Sequence, residues 1–134
     1  MTILVIDDDE AQRTVLDGFL RKAGYRVLQA ASADDGLSVV ERERNVDVVL
    51  CDVRMSGRDG VEVLRCLRAA RPDVAVILMT AFATIRQAVE VVRLGAWDYL
   101  TKPLDFDELR GKLARCERTR RAQPETQRHD GARD

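Results

Sequence analysis

Short apolar runs alternate along the chain with longer stretches whose apolar residues return every three or four positions, and this alternation sets the expected elements. Ile3-Leu4-Val5-Ile6 reads as a first strand. Ala11, Val15, Phe19 and Ala23, spaced four apart, read as the inward stripe of the helix that follows, and Gly24 ends it. Residues 26–30 form a second strand. Ala33, Leu37 and Val40 mark a second helix with Ser32 as its N-cap, since a hydroxyl there accepts from an unbonded N–H of the first turn. Residues 46–51 form a third strand. Val61, Leu64 and Leu67 mark a third helix, which must stop before Arg71-Pro72, because the residue ahead of a proline is pushed out of the helical region. Residues 74–79 read as a fourth strand, 84–94 as a fourth helix closed by Gly95, and 98–101 as a short fifth strand beside Trp97. Phe106, Leu109, Leu113 and Cys116 give a last amphipathic helix capped by Asp105.

Strands alternating with helices predict an α/β fold, with a parallel sheet covered on both faces. The strongly apolar first, third and fourth strands belong at the centre, and the second, carrying Arg26 and Gln29, at an edge. The order 2-1-3-4-5 meets both conditions and is a common doubly wound order, that of the flavodoxin-like folds. Beyond Arg118 the apolar spacing fails. The folded domain is therefore expected to cover residues 1–118, and 119–134 to be a polar tail or linker, frayed helix and then disorder.

In such a sheet the carboxyl ends of the strands converge on one crevice, where ligands bind. Asp7-Asp8 end the first strand, Asp52 the third, Thr80 the fourth, and Lys102 follows the fifth. Crowding three carboxylates costs repulsion, which points to a cation among them. A small hard ion such as Mg²⁺ takes oxygen ligands and keeps several waters; Asp8 and Asp52 would bind it directly, Asp7 directly or through water. Lys102 would neutralise part of the charge and hold a phosphoryl oxygen as a point charge. Thr80 would donate a hydrogen bond to another. Phosphoryl transfer needs positioning and charge neutralisation above all. Asp52, between metal and lysine, is then the nucleophile that forms an acyl phosphate. Asp9 reads as a helix cap. A second reading of the same acids is an aspartyl-phosphate phosphatase of haloacid-dehalogenase type using Asp7-x-Asp9, which would need more chain for a substrate cap.

The 134 residues carry 22 basic and 23 acidic side chains, a net charge of −1 that argues against a nucleic-acid-binding surface as the main activity. No run approaches a membrane span. The chain enters its first strand at once, so no signal peptide is expected. Cys51, Cys66 and Cys116 form no metal-ligand pattern, and the first two lie in apolar stretches, where free cysteine acts as a small hydrophobe. A cytoplasmic protein is the expectation. His129 sits in the polar tail and is given no role.

Asp7-Asp8, Asp52, Thr80-Ala81 and Lys102-Pro103, in this order and each at a strand end, resemble the receiver domain of two-component response regulators, the CheY-like fold. Thr80-Ala81-Phe82-Ala83-Thr84 and Gly95-Ala96-Trp97-Asp98-Tyr99-Leu100-Thr101-Lys102-Pro103-Leu104 further resemble receivers of NtrC-type enhancer-binding transcription activators. The resemblance implies that Asp52 takes a phosphoryl group from the phosphohistidine of a sensor histidine kinase. It implies Mg²⁺, or Mn²⁺, held by Asp8, Asp52 and the backbone carbonyl of Arg54, with Asp7 assisting. It implies a signalling protein that catalyses only its own phosphorylation and dephosphorylation, and a cis Lys102–Pro103 bond. Thr80 would swing toward the phosphoryl group and Tyr99 follow into the vacated space, altering the surface of the fourth helix, fifth strand and fifth helix. That surface would meet an output domain or partner, or a second copy. The apolar stripe Ala88, Val89, Val91, Val92 and Leu94 is wider than one buried face needs, which suits such a contact. No ATPase or DNA-binding segment is present, so the chain reads as a stand-alone or excised receiver without direct nucleic-acid contact. One departure stands out: the family usually has Met-Pro-x-Met-Asp-Gly where this chain has Met55-Ser56-Gly57-Arg58-Asp59-Gly60, and the loop should be less rigid for it.

Overall fold

The apolar runs become strands because helices cover both of their faces. A computed structural model describes residues 1–81 and 84–122. The elements run β1 (Thr2–Ile6), α1 (Glu10–Lys22), β2 (Arg26–Ala30), α2 (Ala33–Arg42), β3 (Val48–Asp52), α3 (Gly60–Ala70), β4 (Ala75–Thr80), α4 (Ile85–Arg93), β5 (Asp98–Thr101) and α5 (Phe106–Ala122). All neighbouring strands pair in parallel, in the order β2-β1-β3-β4-β5. This is the doubly wound order read from the polarity of the strands. Every residue of β1 and β3 is buried, and so is β4 except for its last residue, while β2, at the edge, leaves Arg26 and Gln29 exposed.

Alternate side chains of the central strands feed two cores. Leu4, Ile6, Val49, Val76 and Leu78 meet Val40 of α2 and Val63, Leu64 and Leu67 of α3. On the other face Ile3, Val5, Leu50 and Ile77 meet Leu16 and Leu20 of α1 and Leu109, Leu113 and Cys116 of α5, with Trp97 packed at the border. Burying each such aliphatic side chain stabilises the fold by about 1.5–3 kcal/mol. No helix among the described residues is long and apolar enough to cross a membrane.

Two expectations are corrected, for the stripe of α1 and for the ends of two strands. Of the stripe Ala11, Val15, Phe19 and Ala23, only Phe19 packs against the core: Val15 is 57 % exposed and the buried residues of α1 are Leu16 and Leu20. At 3.6 residues per turn, each step of four overshoots a full turn by about 40°, so a stripe of four such residues winds off any one face. The third and fourth strands begin and end later than their apolar runs, which makes Asp52 and Thr80 the last residues of β3 and β4. Helix α5 continues past Arg118 to Ala122, because Arg120 turns inward and is buried. Its guanidinium donates to the Asp73 carbonyl at 2.6 Å and to Asp47 Oδ1 at 3.1 Å, while Asp47 Oδ2 accepts the Thr2 N–H at 2.8 Å. The rest of the expected tail, with His129, lies outside the described residues, as do Phe82 and Ala83.

Truncating Arg120 leaves Asp47 facing a buried gap. Removing one partner of a buried pair costs about 3–5 kcal/mol, and this pair is only nearly buried, so Arg120→Ala should destabilise the domain by about 3 kcal/mol. Urea unfolding measures it. A loss below about 0.5 kcal/mol would mean that the end of α5 is not anchored by this side chain.

Candidate functional site

The site is built at the carboxyl end of the sheet by three features of local sequence. Asp7 follows β1 directly, so its side chain enters the crevice fully buried, while Asp8 beside it is exposed and Asp9 is turned outward as the N-cap of α1, accepting the Gln12 N–H at 3.3 Å. Asp52 ends β3, buried, and α3 starts hard against it. A Cβ on Gly60 would fall 2.5 Å from the Asp52 carbonyl oxygen and 2.8 Å from Val53 Cα, so glycine alone permits this approach. Lys102 follows β5, its N–H donating to the Thr80 carbonyl at 2.8 Å, which sets the lysine stem beside the end of β4. The Lys102–Pro103 bond is cis, as expected.

Asp7, Asp8 and Asp52 each place a carboxylate oxygen within 4.8 Å of the others. Lys102 Nζ reaches Asp52 Oδ2 at 2.5 Å. Asp52 Oδ1 accepts the Arg54 N–H at 3.1 Å, and Asp8 Oδ2 accepts the Ser56 N–H at the same distance. Asp7 Oδ1 accepts the Asp9 N–H at 2.9 Å, but Asp7 Oδ2, though buried, has no hydrogen-bond partner. An orphaned buried carboxylate oxygen is costly. Burial pushes the Asp7 carboxyl above the usual carboxylate range; the Asp9 N–H opposes this and the Asp52 charge adds to it. A divalent cation would answer both the orphaned oxygen and the repulsion, and an all-oxygen donor set suits a hard ion such as Mg²⁺. The donor set therefore fits the metal.

Thr80 and Tyr99 lie on adjacent strands, Tyr99 opposite Leu78 and Thr80 opposite Thr101. Both line one cavity of about 620 Å³ that extends past Met55 to Ala88 and Val91 under α4. Lys112 Nζ donates to the Tyr99 carbonyl at 2.7 Å and lies 5.3 Å from its ring centroid. Only Ala88 of α4 is buried, whereas Ile85, Val89 and Val92 are 86 %, 47 % and 50 % exposed. The surplus apolar residues read from the sequence are thus on the surface, joined by Ile85. The Ser56 amide contact escaped the sequence reading. Only the missing proline could have signalled it, since proline has no N–H.

Against known families, residues 3–114 match the response regulator receiver domain. The transcriptional regulatory protein ZraR of Salmonella typhimurium is 47 % identical over 114 residues, covering 85 % of this chain and 26 % of that protein. The chain thus spans about a quarter of that relative's length. Sporulation initiation phosphotransferase F of Bacillus subtilis is 37 % identical over 108 residues, covering 81 % of this chain and 86 % of that protein. Among solved structures, a response regulator receiver domain protein from Clostridium thermocellum superposes with a TM-score of 0.84 at 30 % identity, covering 90 % of this chain and 96 % of that one. The converging strand ends and a family match over most of the chain lead to one assignment: this protein belongs to the response regulator receiver domain family.

Proposed function

We propose that Asp52 is the phosphoacceptor of this receiver and that a sensor histidine kinase supplies the phosphoryl group. The observation that carries the reading is Lys102 Nζ at 2.5 Å from Asp52 Oδ2, beside a cluster of three carboxylates. An Asp52 carboxylate oxygen forms the new O–P bond as the P–N bond of the phosphohistidine breaks, and the departing imidazole keeps the electron pair. Lys102 turns from the carboxylate to a phosphoryl oxygen, and the Thr80 hydroxyl donates to another. Asp7, Asp8, Asp52 and the Arg54 carbonyl would hold Mg²⁺, or Mn²⁺ in its place. When bound, the ion neutralises the acids and the developing charge on the phosphoryl oxygens. Beyond its own phosphorylation and dephosphorylation the chain has no catalytic task in this reading, and it works in the cytoplasm, where such kinases present phosphohistidine.

The phosphatase reading loses its second acid. Asp9 caps α1 and stays outside the carboxylate cluster, so Asp7-x-Asp9 does not form a catalytic pair.

The signal leaves through Thr80 and Tyr99, which border the same cavity under a sparsely buried α4. When Thr80 moves to the phosphoryl group, Tyr99 takes the vacated space and α4 repacks. Two packings are biased by one local charge event. The face of α4, β5 and α5, with Ile85, Val89 and Val92 exposed, then meets an output domain or a second copy, and transcription control is the output that the similarity to ZraR favours. Thr80→Ala should accept phosphate yet fail to transmit it. Hydrogen exchange across residues 84–94, with and without beryllofluoride, should change in wild type and stay flat in Thr80→Ala. Coupling of this kind is worth about 1–3 kcal/mol, or 5- to 150-fold in protection. Identical protection in all four samples would leave Asp52 an acceptor without a switch.

A further inference from the structure

Asp8 is exposed, and an exposed carboxylate samples several rotamers unless something holds it. Here the main-chain N–H of Ser56 holds it, donating to Asp8 Oδ2 at 3.1 Å across 48 residues of sequence. A proline at this position would have no N–H to give. The turn suits the bond. Gly57 follows at φ 81°, in the left-handed region that glycine enters without penalty, so the chain bends directly after the donating amide. One N–H uses one lone pair of Oδ2 and leaves Oδ1 and the remaining lone pairs for a cation. In this bonded position Asp8 already offers an oxygen within 4.8 Å of those of Asp7 and Asp52.

We propose that the Ser56 main-chain amide is a positioning group for Asp8, setting the carboxylate for a divalent cation and fastening the loop between β3 and α3 to the site. The inference rests on the metal-dependent phosphoacceptor reading. A proline here would stiffen the loop through its ring but leave Asp8 without this donor. Here a hydrogen bond takes the place of the ring, and loop order and metal affinity become one property.

The backbone role separates cleanly from the side chain. Ser56→Ala keeps the amide; Ser56→Pro removes it. Mg²⁺ alone is titrated into each protein and followed by calorimetry and by the amide NMR shifts of Asp8 and Asp9. Ordering one free side chain on binding costs about 0.5–1.5 kcal/mol, so Ser56→Pro should weaken Mg²⁺ binding about two- to twelvefold, with Ser56→Ala unchanged. In wild type, Mg²⁺ should also slow hydrogen exchange of the Ser56 amide. Should Ser56→Pro fold poorly, an amide-to-ester replacement at position 56, made by semisynthesis, deletes only the N–H and should give the same loss. Mg²⁺ binding by the proline or ester protein as tight as wild type overturns the role of the amide. So does a loss in Ser56→Ala equal to that in Ser56→Pro. If wild type itself binds no Mg²⁺, the metal-dependent reading falls first and this inference with it.

Discussion

Asp52→Asn should take up no phosphoryl group when incubated with Mg²⁺ and a small phosphodonor, while wild type should gain one adduct that maps to Asp52 by mass spectrometry. Asp52 has a charge partner in Lys102 and a neighbouring pair of acids fit for a metal. Asp7 has no approach from solvent and no ion pair to its carboxylate, being fully buried with that carboxylate accepting one hydrogen bond, from the Asp9 N–H. A carboxamide at position 52 keeps the shape of the side chain but is a poor nucleophile and gives Lys102 no anion to meet. The signal should fall below detection with the fold preserved. An adduct on Asp7 in wild type, or full labelling of Asp52→Asn, would overturn the assignment.

Removing either of the other acids should slow phosphorylation steeply, and neutralising Asp7 should strengthen the fold at the same time. A metal at a transferring phosphoryl group stabilises the transition state by several kcal/mol, so Asp8→Ala or Asp7→Asn should slow labelling at least about a hundredfold. In chelator, Asp7→Asn should gain about 0.5–2 kcal/mol against urea, because a buried repelling charge has gone, whereas Asp8→Ala offsets the same relief with the loss of the Ser56 hydrogen bond. For Asp7 the pH window has a definite sign. Its folded pKa is raised from 3.8, chiefly by burial. Below about pH 3.8 the group is protonated in both states and costs nothing. The cost grows as pH rises and is complete above the folded value. Asp7→Asn should therefore surpass wild type at neutral pH, with the gain shrinking toward acid. Saturating Mg²⁺ should reverse the order, since only wild type gains stability from binding it. Wild-type labelling rates in Asp8→Ala, or a less stable Asp7→Asn at neutral pH in chelator, would refute the metal site.

The sequence by itself determined the strands, their order and the company at their ends. Fully buried strands must be apolar throughout, so β1, β3 and β4 were legible as runs, and Arg26 and Gln29 sent β2 to an edge. Once the strands are parallel, Asp7, Asp8, Asp52, Thr80 and Lys102 share one end of the sheet, and no further information is needed to bring them together. What the tertiary structure alone decided has a common cause: each case depends on a partner distant in sequence or on where a neighbouring element sits. The inward face of α1 is Leu16 and Leu20 because that side meets the core over β1 and β3, which spacing within one helix does not reveal. Arg120 looks like a tail residue until Asp47, 73 positions away, accepts its guanidinium. Thr80 and Tyr99 border one cavity only because β4 and β5 are neighbours. The Ser56 amide meets Asp8 through a backbone group that every residue but proline carries, and so leaves almost no mark in the sequence.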